Sequence, residues 1–223
     1  MPRTATTANA VLGLLALRPR WASYEITRQL RRNMRFFWPR AESRIYEETK
    51  GLVAKGYARV DHEHVGRRAR TVYSITPAGR RALREWLSTP PKGIALECEP
   101  LLRVFLSDLS TRAQLDAALQ QTRRDAQAIL DVGRVVGAEY LADTAPFQDQ
   151  VHVRAFVLDF LSHHALMLMD WANRTEASLD AWTTRPADRV RLAQEVIAAN
   201  LAQYPAPDDD NLEPHLLPPR RQR

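Results

Sequence analysis

The spacing of apolar positions changes several times along this chain, and each change marks an element. Residues Ala10 to Leu17 form a nearly continuous apolar run that stops at Arg18-Pro19, which predicts a buried first helix ending there. Ser23 then precedes a stretch, Tyr24 to about Asn33, in which Ile26 and Leu30 stand four apart and Glu25 falls in the first turn. Ser23 therefore reads as the N-cap of a second helix. From Arg40 to Lys55, Ile45, Thr49, Leu52 and Val53 recur at helical spacing, with Arg40, Arg44, Glu47 and Lys50 on the opposite side and Gly56 as the stop. Tyr57 to His62 and Thr71 to Ile75 alternate like paired strands, and the segment joining them sets Arg67, Arg68 and Arg70 around Gly66. Thr76 and Pro77 then cap and open a helix that reaches Leu87. Three helices, a hairpin and a fourth helix, in this order, are the sequence form of a winged helix-turn-helix, in which the third helix is free to enter a groove.

Consecutive prolines and a glycine in Ser88 to Gly93 end that pattern, and long helices follow. Leu115, Leu119, Thr122, Ala126, Ile129, Gly133, Val136 and Tyr140 alternate steps of four and three, a heptad seam along which a partner helix must lie. A second long helix, from about Asp149, repeats that spacing at Val153, Val157, Phe160, His164, Met167 or Leu168, and Trp171, so the two are expected to form an antiparallel pair. Residues 186–201 read as one more amphipathic helix with Val190, Ala193, Ile197 and Leu201 inward. The fold class expected is therefore mostly α: an N-terminal winged helix-turn-helix with a two-stranded hairpin over 1–90, then a C-terminal antiparallel helical dimerisation domain over 91–204. Residues 205–223, rich in proline and aspartate, cannot bury enough apolar surface to order themselves.

Charge sharpens this division. Residues 1–90 hold 18 Lys and Arg against 7 Asp and Glu, a net of +11, while residues 91–223 hold 14 against 19, a net of −5; together they return the +6 of the whole chain. A surplus confined to the helix and hairpin segment is the electrostatic footprint expected for nucleic acid. The single Cys98 excludes an intrachain disulfide or a cysteine metal cluster and fits a reducing cytosol. The N-terminal apolar run is eight residues long and meets Arg18-Pro-Arg20 at once, with no small-residue cleavage site, so it is not expected to be a signal peptide. No apolar stretch approaches the roughly 20 residues of a membrane helix, and no membrane partner is expected.

Geometry assigns the candidate contacts. A helix over 40–55 lying in a major groove would bring Arg40, Ser43, Arg44 and Glu47 to base edges. Tyr46, Lys50 and the wing residues Arg67, Arg68 and Arg70 suit phosphates, although the Tyr46 ring can equally pack inward. Ser23 and Tyr24, at the start of the positioning helix, complete the DNA-binding set. Phe36, Phe37 and Trp38 can be read as stacking groups or as packing material.

Rival chemistry is weaker. Asp159 and His163 stand four apart with Asp170 seven further on, as a metal or acid–base face or a solvated helix face would, and they support an alternative helical enzyme. No Glu-x-x-His pair, phosphate-binding lysine loop or nucleophile elbow accompanies them, so no cofactor and no catalytic residue is assigned. A helical interaction adaptor, the third reading, leaves the +11 segment unexplained.

Trp38-Pro39, Ser43, Arg44, Ile45, Tyr46, Leu52, Gly56, Arg67-Arg68, then Tyr73 to Gly79, Leu83 and Trp86 together resemble the PadR family of bacterial transcriptional regulators, in the version with a long helical C-terminal domain like that of virulence activators. The likeness covers about the first 90 residues and has one visible departure, Thr49 where the family usually has leucine. It implies a cytoplasmic regulator, a repressor, that binds double-stranded operator DNA as a homodimer and responds to a small molecule. Phe156, Phe160, Met167 and Trp171 are the candidate lining for a small aromatic effector, or else helix core.

Overall fold

The computed structural model describes residues 6–65, 68–180 and 186–204. The chain divides into two compact units, residues 1–97 and 98–223.

The first unit is built around α1 (Thr6–Leu17), in which Val11, Leu12 and Leu15 are fully buried. An apolar run of that kind needs neighbours on every side, and α1 has them in α2 (Ser23–Met34), α3 (Glu42–Ala54), α4 (Pro77–Leu87) and the strand Arg68–Ile75. The hairpin strands β2 (Ala58–Val65) and β3 (Arg68–Ile75) pair antiparallel from Ala58 opposite Ile75 to Val65 opposite Arg68. A third strand was not foreseen. Trp21–Ala22 forms β1, which adds antiparallel to the other edge of β3, Trp21 opposite Tyr73, so the sheet order is β1-β3-β2. Two residues offer no alternation to read; tertiary burial decides them, and Trp21 is fully buried.

The caps show where local chemistry set the ends. Thr76 accepts the Gly79 N–H at 3.1 Å and donates its hydroxyl to the Gly56 carbonyl, capping α4 as expected. A side chain on Gly79 would collide with the Tyr57 carbonyl oxygen, so glycine lets α4 close against the start of β2. Gly56 stops α3 with a positive φ of 71°, a conformation glycine adopts without a Cβ penalty. Ser23, by contrast, is not a cap. Ala22 takes the capping position of α2, and Glu25, three residues on, accepts the Ala22 N–H at 2.7 Å.

In the second unit, α5 (Glu99–Phe105), a short helix the periodicity did not reveal, precedes the 30-residue α6 (Arg112–Leu141) and α7 (Val151–Asp180). The α6 seam is buried at Leu115, Leu119, Thr122, Ala126 and Ile129, as its spacing predicted. Arg112 at the start of α6 pairs with Asp180 at the end of α7, and Arg123 with Glu176, so the pair is antiparallel. Asp143 and Phe147 take left-handed conformations in the turn between them.

The inward face of α7 differs from expectation. Ala165, Ala172 and Leu179, seven apart, are buried, and Leu158 lies against Gly133. The Val153, Val157, Phe160 and Met167 stripe points to solvent within one chain. Small residues won the interface because helices approach more closely there, whereas the larger ones would hold them apart. Trp171, the last residue of the expected face, is partly buried and packs against the cluster of Leu115, Leu119, Ala172 and Leu179. Helix α8 (Pro186–Leu201) forms as predicted, but Val190, Ile197 and Leu201 are exposed rather than inward. The tail over 205–223 lies outside the described residues.

Candidate nucleic-acid interface

Helix α3 has a buried edge, Ile45, Thr49 and Leu52, and an exposed one. Thr49, 2% exposed, turns its hydroxyl back to the Ile45 carbonyl at 2.7 Å. That bond is how a polar side chain occupies an apolar position without an unsatisfied group. Opposite, Ser43, Glu47 and Lys50 are exposed at i, i+4 and i+7, with Arg44 beside them. Of the side expected to face away from the core, Arg44, Glu47 and Lys50 are therefore on α3 and exposed, with Ser43 beside them.

Arg40 departs from its expected place. It precedes α3, which starts at Glu42 after Ala41, so Arg40 and Arg44 do not share a helical face. The Arg40 guanidinium instead lies over the Trp38 ring at 4.3 Å and donates to the Pro39 carbonyl at 2.5 Å. A proline two residues before the cap lengthens the turn rather than opening the helix. Trp38 in turn donates its indole N–H to Thr7 on α1 at 3.2 Å, which anchors this turn as packing material. Behind it, a cleft of about 200 Å³ runs between α1, α2 and the 35–40 turn, floored by Ala10, Leu30, Met34 and Ile45.

Tyr24 is exposed on α2, with the Arg28 guanidinium 5.8 Å from its ring centre. Tyr46 is half-buried beside the buried Tyr73. Burial, and next the neighbouring Tyr46, push the Tyr73 phenol above its ordinary value, while a hydrogen bond with Ser23 opposes them. Ser23 is thus tied to the sheet rather than to the end of its own helix.

The wing is more internally neutralised than its arginine content suggested. Arg70 sits within β3, not at the tip, and pairs with Glu25 of α2 at 3.2 Å. Arg18 meets the same carboxylate at 2.8 Å and stacks over Trp21 at 3.6 Å. Burial would raise the Glu25 pKa, but the Ala22 N–H, Arg18 and Arg70 together hold it below the ordinary glutamate range. Arg20 pairs with Glu63 and, at 3.7 Å, with Asp61. Arg68 opens β3, and Arg67 lies outside the described residues. The Glu25 cluster escaped the sequence reading, since a first-turn acid signals a helix start and gives no hint of two arginines arriving from distant segments.

The rival face on α7 is an exposed Asp159–His163 pair at 3.3 Å, while Asp170 pairs with Arg174 at 2.7 Å. Among the described residues, no group of three or more His, Cys, Asp and Glu is placed to hold a metal ion. Phe156 is 75% and Phe160 60% exposed, so these two and Met167 lie on the surface of one chain, while Trp171, the fourth effector candidate, packs against the helix core. No helix among the described residues is long and apolar enough to cross a membrane.

Residues 11–85 match the model of the transcriptional regulator PadR-like family. Among curated proteins none matches the chain. The solved structure of Bacillus subtilis PadR in complex with operator DNA is 20% identical with a TM-score of 0.65, over 78% of this chain and 98% of that one. The Vibrio cholerae virulence activator AphA is 20% identical with a TM-score of 0.60, over 79% and 99%. Bacillus subtilis PadR in complex with p-coumaric acid is 21% identical with a TM-score of 0.60, again over 79% and 99%. At these identities the likeness is one of fold.

Proposed function

We propose that this chain, whose residues 11–85 match the transcriptional regulator PadR-like family, is a DNA-binding transcriptional regulator, a repressor that grips operator DNA as a homodimer. Proteins of that family are regulators rather than enzymes, and the helical enzyme reading is set aside.

The observation that carries the proposal is the exposed face of α3, with Ser43, Arg44, Glu47 and Lys50 free of the core in a segment of net charge +11. Seated in a major groove, that face offers Arg44 for guanine, Glu47 for a cytosine amino group and Ser43 for either, while Lys50 and the Tyr46 hydroxyl meet phosphate. Tyr24 and Ser23 on α2 take the backbone beside it. Arg40 approaches from the turn before α3, and the wing contributes Arg67 and Arg68. Arg70 enters only if Glu25 releases it.

A dimer follows from what one chain leaves uncovered. The α6 seam is satisfied by α7, but Val153, Phe156, Phe160 and Met167 remain exposed, a stripe that a second copy would cover. Two readers held about 34 Å apart meet successive turns of one DNA face. A small aromatic effector seated among Phe156, Phe160 and Met167, with Trp171 packed behind, would alter that spacing; the p-coumaric acid complex of Bacillus subtilis PadR supports this class of ligand. A cytoplasmic location accords with the reading.

The deciding experiment is a salt titration of full-length protein on double-stranded genomic fragments. Affinity should fall by orders of magnitude between low and physiological salt if several Lys and Arg meet phosphates. No mobility shift on any fragment at low salt would defeat the proposal.

A further inference from the structure

We propose that Glu48 is a positioning residue for sequence discrimination, which holds the Arg44 guanidinium so that α3 reads a base instead of merely neutralising phosphate. The inference rests on the DNA-binding reading above.

Arg44 occupies a place that helix energetics disfavours. It is the third residue of α3, where the positive end of the helix dipole favours a carboxylate. Its two acidic neighbours are not equivalent. Glu48 Oε1 lies 2.7 Å from Arg44 Nη2 with a side chain only 14% exposed, whereas Glu47 Oε2 is 3.6 Å away on a side chain 69% exposed. Glu47 faces solvent; Glu48 is largely buried and its carboxylate reaches the arginine. An i, i+4 pair on a helix surface is worth about 0.3–0.5 kcal/mol, and base before acid is the weaker order. Helix stability therefore gives little reason for this pair.

Base reading gives a better one. Recognition helices contact base edges with their N-terminal residues, which is where Arg44 stands. A guanidinium presents five N–H donors in a planar fork, so one nitrogen can stay on Glu48 while another edge meets guanine O6 and N7. Fixing the long side chain beforehand removes the rotamer freedom that would otherwise be lost on binding. The carboxylate also cancels the charge Arg44 would offer to any phosphate, so a wrong sequence gains little from it. Glu48 thus acts against non-cognate DNA as well as for the cognate site.

The test selects a random-sequence double-stranded DNA library with full-length protein, then compares variants on the enriched sequence, its single-base variants and the unselected pool. Glu48→Gln should retain or raise affinity for the pool, lose roughly tenfold of the enriched-over-pool ratio, and lose preference at one base pair. Its salt slope should rise by about one, as Arg44 swings to a phosphate. Glu48→Asp keeps the charge and shortens the reach; it should lose the same base preference with no gain on the pool. Arg44→Lys, lacking the fork, should reproduce the loss. If Glu48→Gln weakens enriched and pool DNA by one factor, or leaves every base preference intact, the assignment is wrong and Glu48 is structural only. Failure of the wild-type protein to enrich any sequence would instead remove the DNA-reading function itself.

Discussion

Glu25 shows how one side chain joins three segments that lie apart in sequence. Its carboxylate accepts from the Ala22 backbone, Arg18 after α1 and Arg70 on β3, so it fastens the start of the positioning helix to the wing. Because these partners hold its pKa below the usual value in the folded chain, the pair contributes stability fully above the unfolded value of about 4.3. That contribution is lost as pH falls through the lower folded value. Glu25→Gln should therefore cost about 1–3 kcal/mol at pH 7 by leaving partly buried guanidinium groups unmatched. Its stability should also fall less steeply than wild type on acidification below pH 4. Urea unfolding at both pH values checks this; equal acid sensitivity of the two proteins would show that other carboxylates dominate. The same geometry separates the wing arginines, since Arg70 already has an internal partner and Arg68 stands at the start of its strand.

Helix α7 has two faces with different tasks, and its composition sorts them. Ala165 and Ala172 let it approach α6, while Phe156 and Phe160 stand outward and exposed, the Phe160 ring parallel to that of His164 with centres 6.2 Å apart. Phe160→Glu should leave the helical content of the chain close to wild type, while raising the dimer dissociation constant by at least about tenfold in sedimentation equilibrium. Ala165→Leu should do the reverse: it overfills a tight contact and costs about 1–3 kcal/mol. If Phe160→Glu leaves the association unchanged, the second copy binds elsewhere, and the exposed stripes of α5 or α8 take its place as candidates. The seam on α6 was legible because its heptad is unbroken from Leu115 to Ile129; the inward face of α7 was not, because hydrophobicity ranks Phe and Met above Ala whereas helix separation ranks them the other way.

At the scale of the whole chain, the proposed homodimer makes operator binding depend on two linked readers. The winged unit holds the basic charge and the helical unit the uncovered apolar surface, so neither alone should bind an operator tightly. A fragment of residues 1–93 should sediment as a monomer and bind the sequence enriched by the full-length protein at least a hundredfold more weakly, since the second contact is no longer intramolecular. A fragment that binds as tightly as the intact chain would mean that each winged unit acts by itself. Sedimentation of the full-length protein as a monomer at micromolar concentration would remove the dimer and the spacing argument together.

The sequence by itself determined the order of the elements and most of the elements themselves, β1 and α5 being exceptions. The buried run of α1, the threonine cap and proline of α4, the alternation of the hairpin and the α6 heptad are local signals, and local signals survive translation into structure because caps, turns and periodicity act over a few residues. It also placed Arg44, Glu47 and Lys50 on the side of α3 away from the core, since helical spacing decides that, and wrongly put Arg40 with them. Only the tertiary structure decided which partners those residues have. Trp21–Ala22 became a strand because an edge of β3 was open to it; Arg40 left α3 for Trp38; Arg70 went to Glu25; and Glu48, unremarkable in the chain, came to hold Arg44. Charge pairing between distant segments and the choice between two faces of a helix depend on distances in three dimensions, and no periodicity along the chain carries them.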